Sequence, residues 1–339
     1  MVRIKDIAKS LNVSTTAVSK ALNHKPGISQ ELRARILKKA EEMGYIVNSL
    51  ARGMATSRTF TVGVIVSDIM NPFSSELISA AEVVFYARKY NLVICNTGEN
   101  PQKEREYLEL LASRRVDGIL TSHGTEGQNL SIYKSLIRHG MKVVFFDRVV
   151  ENINADSVSV DNIDAIYKAV KYLVKLGHKK IGAIYGILSS YPGSQRLEGF
   201  KNAIFDAGII LRKEWIKPGY FKEKESYEQT IKILRKKEHP TAIIAMNNLM
   251  TLGVVKAIKD LNMNIPNDIS VIGFDDADWM SIFTPTITTI AQPSKAIGMT
   301  AATLLLDAIE NSMNHQPQNI ILKAKFIERE SCLNIRLYS

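Results

Sequence analysis

Cysteine is nearly absent from this chain: Cys95 and Cys332 are the only two in 339 residues. They lie far apart, and neither has a His or Cys neighbour at ligand spacing, which excludes a disulfide framework and a structural zinc site. No apolar run reaches the roughly 18 residues that a membrane-spanning helix needs, and the start MVRIKD carries no apolar signal core. Neither membrane insertion nor export is indicated, so the chain is expected in the cytoplasm. There is no GxGxxG after a strand, no P-loop and no GxSxG elbow. The sequence therefore nominates no catalytic residue, no metal ligand and no cofactor, and an enzyme is not expected.

Positive charge, by contrast, is unevenly placed. Residues 1–58 hold 11 Lys or Arg against 4 Asp or Glu, a surplus of 7 out of the chain's net +10. A duplex backbone is the obvious partner for such a concentrated excess. The same stretch opens with IKDIAKSLNVSTTAVSKALN, from Ile4 to Asn23, which reads as two short helices and a tight turn. Ile4, Ile7, Ala8 and Leu11 recur at helical spacing. After Asn12 and Val13, Ser14 is a good N-cap for a second helix that turns Val18, Ala21 and Leu22 inward. Thr15, Thr16, Ser19 and Lys20 then point outward near the start of that helix, as the side chains of a recognition helix do. Ser29 caps a third helix, Glu31 to Met43, whose Leu32, Ile36, Leu37, Ala40 and Met43 complete a three-helix core before Gly44 ends it.

From Phe60 onward short apolar runs alternate with amphipathic helices, the pattern of βαβ units on parallel sheets. TVGVIVS, LVICNT, GILTS, KVVFFD and SVSVDN form one such run; KIGAIYG, TAIIAM and ISVIGFD belong to a second. The helices between them are expected over 74–90, 102–113, 130–139, 165–176, 193–207, 223–236 and 250–261. TITTIAQP, the helix from Ser294 to Glu310, NIILK and KFIERE read as crossings and edge strands rather than as a third lobe. The expected fold class is thus α/β: a three-helix headpiece followed by a two-lobed body of parallel sheets. The expected division is 1–46 for the headpiece, 47–58 for a hinge and 59–339 for the core. Within the core, lobe 1 takes about 59–161 and 293–322, and lobe 2 about 162–292 and 323–339.

Ligands of open parallel sheets bind at the carboxyl ends of the strands, and two facing lobes put those ends around one cleft. Reading off the strand ends gives Ser67, Asp68, Asn71 and Phe73, then Asp147 and Arg148, in the first lobe. The second lobe offers Ser189, Ser190, Arg196, Asn247 and Asp275. Asp, Asn and Arg are the residue types that pair with vicinal hydroxyls, and an aromatic ring covers the apolar face of a sugar. For Asp68 and Asn248 a plain helix-capping role competes with ligand contact.

VSTTAVSKALN, then GYIVNSLARGMATS from Gly44 to Ser57, then the long α/β body resemble the lactose-repressor and galactose-repressor family of bacterial transcription regulators. The resemblance spans the whole chain and is strongest to the catabolite control protein branch. It implies that Asn48 to Ala55 form a hinge helix on operator DNA with Met54 as an apolar lever in the minor groove. Met stands where Leu is usual, and Val47 where Pro is common. Asn23, Asn48, Ala51 and Arg52 fall on the motif positions and join Met54 as DNA-binding candidates. The resemblance also places Asp147, Arg196, Asn247 and Asp275 at inducer-binding positions and Phe221 at that of a stacking aromatic. Asn248 stands where the family usually has Asp. Gly177 and His178, in the signature LxxxGHxxI, read as a helix C-cap and a structural histidine.

The expected partners are a pseudo-palindromic double-stranded DNA operator and a small effector, a sugar or sugar derivative, with no membrane. Recognition of a pseudo-palindrome by one helix-turn-helix per chain calls for a dyad, and no heptad tail follows KFIERESCL, so a homodimer is expected. Regulation by a protein or small corepressor is the alternative. A sugar-binding protein or an enzyme on the same two-lobe fold is the rival from other classes.

Overall fold

The computed structural model describes residues 2–23, 25–45, 58–122, 128–150 and 152–338. The chain divides into two compact units, Met1–Phe60 and Thr61–Ser339.

Among the described residues the first unit holds three helices: α1 (Ile4–Leu11), α2 (Thr15–Leu22) and α3 (Gln30–Glu42). Asn12, left-handed at φ 52°, ends α1 and allows the chain to turn at once into α2. The Ser14 and Ser29 hydroxyls accept hydrogen bonds from the Ala17 and Leu32 amides at 3.1 and 3.2 Å, capping α2 and α3. Ile7, Ala8, Val18, Ala21, Ile36 and Ala40 form the buried core. Its three alanines leave room for close helix crossings. Leu37, expected in that core, is only half-buried, because it lies one position round the helix from Ile36.

Among the described residues the second unit is built on two six-stranded sheets. The first contains β1 (Thr61–Val66), β2 (Asn91–Asn96), β3 (Gly118–Thr121), β4 (Lys142–Phe146), β5 (Asp156–Val160) and β11 (Asn319–Leu322). Its order is β11-β5-β4-β3-β1-β2, parallel throughout. The second contains β6 (Ile181–Tyr185), β7 (Ile216–Pro218), β8 (Ala242–Ala245), β9 (Ser270–Phe274), β10 (Thr288–Ala291) and β12 (Lys325–Ile327). Its order is β12-β10-β9-β8-β6-β7, with only β12 antiparallel. The two sheets thus repeat one winding, and each reverses strand order beside its first strand, where a ligand crevice opens.

Helices cover both sheets: α4 (Pro72–Ala87), α5 (Pro101–Ser113), α6 (Leu130–Arg138), α7 (Asn162–Lys175), α8 (Tyr191–Asp206), α9 (Glu223–Leu234), α10 (Asn248–Asp260), α11 (Asp278–Ile282) and α12 (Ser294–Glu310). Several begin one or two residues before the apolar period does. Asn71 and Asn100 accept bonds from amides of the first turn, and Pro72 and Pro101 sit at the first helical position, where their fixed φ suits a helix start. Interior strands are buried on both faces, as in β1, β3 and β9, which explains their continuous apolar runs.

The chain passes between the sheets three times: at Asp161, at Gln292–Pro293 and at Lys323–Ala324. TITTIAQP is therefore mostly an interior strand, with the crossing confined to its last two residues, while β11 and β12 are edge strands. The short β7 and α11 carry too little periodicity to be read from sequence. Among the described residues no helix is long and apolar enough to cross a membrane.

Candidate functional site

On α2, Thr15 and Thr16 are exposed and Ser19 and Lys20 are half-exposed, all outside the stripe that Val18 and Ala21 bury. Asn23 turns back on the helix: its side-chain amide donates to the Ser19 carbonyl at 2.9 Å. Asn48, Ala51, Arg52 and Met54 lie outside the described residues. The first unit thus presents a capped helix with a rim of hydroxyls and an ammonium, the shape and chemistry that fit a major groove.

The second unit closes on a cavity of about 200 Å³ between the strand ends of the two sheets. Asn71, Phe73, Asp147 and Arg148 from the first lobe line it together with Arg196, Phe221, Asn247 and Asp275 from the second. Asp68 and Ser67 stand at the same wall. Ser189 is exposed and Ser190 is turned away, its hydroxyl donating to the Ile187 carbonyl at 2.7 Å.

Asp147 and Asp275 occupy matching places, directly after β4 and β9. Both are left-handed, with φ of 60° and 64°, and their amides donate to Val158 and Ile290 of the neighbouring strands at 2.9 and 2.8 Å. This conformation is uncommon outside glycine but open to Asp, and it turns each carboxylate off the sheet and into the cavity. Arg196 reaches in from α8. Its Nε donates to Asn162 at 2.7 Å, its Nη1 donates to the Met246 carbonyl at 2.7 Å, and its guanidinium lies 3.8 Å from the centroid of the Phe274 ring. The remaining Nη2 stands 4.0 Å from Asp147 Oδ1, too far for a direct hydrogen bond. That oxygen is buried and finds no hydrogen-bond partner among the described residues. A hydroxyl placed between the two groups would satisfy both.

Burial pushes the Asp147 carboxyl up from its ordinary value, against the pull of Arg196 and Arg148. Burial likewise raises Asp275, against Arg196 and a 2.5 Å hydrogen bond donated by Gln292. The same burial lowers Arg196, which the two carboxylates hold partly in check. All three are charges kept out of water and balanced mainly by one another, an arrangement that costs folding energy and is typical of functional sites.

Two wall residues, and a third behind the wall, were not visible from strand ends alone. Glu99 forms a bidentate pair with Arg148 at 2.9 and 2.5 Å. Gln292 reaches the cavity from a crossing between the sheets. Asn162, at the start of α7, holds Arg196 from behind. Asn248, beside Asn247, donates from its side-chain amide to Asn71 Oδ1 across the cleft at 2.9 Å, which an Asp there could not do. The Asn247 side chain itself caps α10, accepting from the Met250 amide at 2.8 Å. Phe221 and Tyr220 are both left-handed, φ 59° and 52°. That turn lays the Phe221 ring directly over Gly186, where any Cβ would come within 2.0 Å of a ring carbon. Outside the cavity, His178 is structural: its ring nitrogens lie 2.9 Å from Thr241 Oγ1 and 3.0 Å from the Leu333 carbonyl, and Gly177 before it is left-handed at φ 97°.

A capped recognition helix in one unit and a polar two-lobe cleft in the other define a ligand-responsive DNA-binding protein. Residues 3–48 match the bacterial regulatory proteins of the lacI family, and residues 170–332 match the periplasmic binding protein-like domain. The HTH-type transcriptional repressor PurR of Yersinia enterocolitica serotype O:8 / biotype 1B is 34% identical over 331 residues, spanning 98% of this chain and 97% of that one. A LacI family transcriptional regulator from Enterococcus faecium, solved with bound ribose, is 30% identical with a TM-score of 0.73, over 81% of this chain and 99% of the other. The Lac repressor dimer bound to operator and the anti-inducer ONPF, at 24% identity, shares the fold with a TM-score of 0.88 over 98% and 99% of the two chains. The chain belongs to the lacI family of bacterial regulatory proteins. It is a DNA-binding transcriptional repressor with a helix-turn-helix, from a family of regulators and not of enzymes.

Proposed function

We propose that this repressor answers to a neutral sugar of about pentose size, bound between the two lobes, and that the sugar loosens its hold on operator DNA. The observation that carries this reading is the cavity wall itself. Asp147, Arg196, Asn247 and Asp275 surround a volume of about 200 Å³, flanked by the rings of Phe73 and Phe221. Drug-sized ligands occupy pockets of roughly 300 to 1,000 Å³, so a cavity this small suits a single sugar ring. Carboxylates and a guanidinium offer paired acceptors and donors to vicinal hydroxyls, and the two rings offer apolar faces to the C–H surface of a sugar. The ribose-bound relative from Enterococcus faecium supports the same class of ligand.

On the DNA side, Thr15, Thr16, Ser19, Lys20 and Asn23 are assigned to reading or positioning on a duplex, with Asn48, Ala51, Arg52 and Met54 continuing into the minor groove. Two chains related by a dyad would supply the two reading helices that a pseudo-palindromic operator needs. β1 begins at Thr61, immediately after the segment joining the units, so a rearrangement of the first lobe is felt first by that segment.

Thermal unfolding of the full chain against a panel of neutral pentoses and hexoses tests the ligand class. A ligand bound only by the native state adds about 2.7 kcal/mol at a hundredfold excess over its Kd. Ribose is expected to raise the melting temperature by several degrees and bulky disaccharides to leave it unchanged. If no neutral monosaccharide shifts it, the sugar reading fails.

A further inference from the structure

Arg148 is a buried cation in the wall of the cavity, with a side chain only 5% exposed, and taken alone it would invite an anionic ligand such as a sugar phosphate. It does not stand alone. Both of its terminal nitrogens engage Glu99, Nη1 to Oε2 at 2.9 Å and Nη2 to Oε1 at 2.5 Å, and the Glu99 side chain is itself only 16% exposed.

The backbone fixes Glu99 in place. Gly98 and Glu99 are both left-handed, with φ of 63° and 61°. The Thr97 and Glu99 amides donate to Val66 and Ser67 at the end of β1, at 2.9 and 3.2 Å. Asn100, the next residue, caps α5. Behind the pair, Glu104 is fully buried, accepting from Asn129 and from the Tyr133 hydroxyl, each at 2.8 Å. The Arg148 guanidinium thus lies in the field of three carboxylates, with Glu99 the strongest, then Asp147, then Glu104. Round the rest of the wall, Asp147 and Asp275 face Arg196, while Asp68 and the exposed Lys222 contribute one charge of each sign.

We infer that Glu99 is the residue that sets the charge specificity of the cleft: by neutralising Arg148 it keeps phosphorylated and acidic sugars out while leaving the guanidinium in position beside a neutral ring. A phosphate entering here would lose its hydration to a wall whose buried charges sum to net negative, and such an uncompensated charge is costly at low dielectric. Rejection of a competitor by placed like charge is the repulsive half of specificity. This inference rests on the neutral-sugar reading above and names which group enforces it.

Calorimetric titration of the full-length protein with ribose and with ribose 5-phosphate tests it, using wild type, Glu99→Gln and Glu99→Asp. Glu99→Gln keeps size and one hydrogen bond but removes the charge, so the preference for ribose over its phosphate is expected to narrow at least tenfold. Glu99→Asp keeps the charge at a shorter reach, so most of the wild-type preference is expected to remain. The Glu99 assignment is overturned if the ratio in Glu99→Gln equals that of wild type, or if Glu99→Asp relaxes it as far as Glu99→Gln does. Wild type binding the phosphate more tightly than ribose would overturn it as well. Binding of neither compound by wild type would instead remove the sugar reading, and the Glu99 assignment with it.

Discussion

At the residue scale, the cleft is a set of polar groups whose surroundings have been spent on aiming them. Arg196 is held by Asn162, by the Met246 carbonyl and by the Phe274 ring, so its one forward nitrogen has a fixed direction. Phe221 is aimed by two consecutive left-handed residues and by the missing side chain of Gly186. Strain of this kind costs of order 1 to 3 kcal/mol per residue and persists where the surroundings impose it. Gly186→Ala should therefore push the Phe221 ring out of place. Overpacking costs about 1 to 3 kcal/mol, and sugar affinity is expected to fall roughly tenfold or more with operator binding in the absence of sugar retained. Titration of the variant with ribose checks this, and an unchanged affinity would show that the ring position does not matter. Much of this wall was legible in the sequence, because a polar residue directly after an apolar strand has only the crevice to point into. Asp147, Asn247 and Asp275 were found on that ground. Glu99 was not, since its importance comes from Arg148, 49 positions away in the chain. Gln292 escaped because it sits in a crossing rather than in a βα turn.

At the element scale, two-lobe architecture depends on the three crossings being held in register. The last approach, between α12 and β11, is pinned by one histidine. His315 Nε2 lies 2.7 Å from Asp156 Oδ2 at the start of β5, and Nδ1 lies 3.0 Å from Asp307 Oδ2 on α12. Asp156 also accepts from the Gln318 amide at 2.9 Å, which sets Asn319 opposite Ser157 in the ladder. Burial opposes the imidazolium, but hydrogen bonds to the two carboxylates and their charges outweigh it, and the His315 pKa is raised above 6.5. A raised histidine pKa adds stability that is fully present below the unfolded-state value and disappears as the pH rises through the folded-state value. The urea midpoint of the full chain should therefore decline as pH is raised above 6.5, and His315→Gln should flatten that decline. An equal decline in the variant would mean that other groups cause it. Element boundaries followed the apolar period less faithfully than the elements themselves. Asn–Pro starts lengthen α4 and α5 beyond it, and β7 is too short to have a period at all.

At the scale of the whole molecule, membership of the lacI family joins a DNA-reading unit to a small polar cleft, and the account stands or falls on whether the two communicate. The lobes meet through the Asn248 to Asn71 hydrogen bond, the Arg148 guanidinium 5.7 Å from the Phe221 centroid, and the facing of Arg196 and Asp147. A ligand that bridges Asp147 with Arg196, Asn247 and Asp275 favours one lobe arrangement over another, and DNA affinity changes by the ratio of the ligand's affinities for the two. Typical couplings of about 1 to 3 kcal/mol correspond to roughly 5- to 150-fold in binding. The fold class, the headpiece and the two sheets were legible in advance because each rests on periodicity repeated many times. The lobe contacts were not, because each is a single pair of residues brought together from distant parts of the chain. The most direct measurement is the affinity of the full-length protein for a pseudo-palindromic duplex selected by that protein from random DNA, with and without saturating ribose, in wild type and in Asp275→Ala. Ribose is expected to weaken wild-type binding at least fivefold and to leave Asp275→Ala, with its headpiece unaltered, bound to the duplex as tightly as before. Release of Asp275→Ala to the wild-type extent, or no effect of ribose on wild type, would contradict the account.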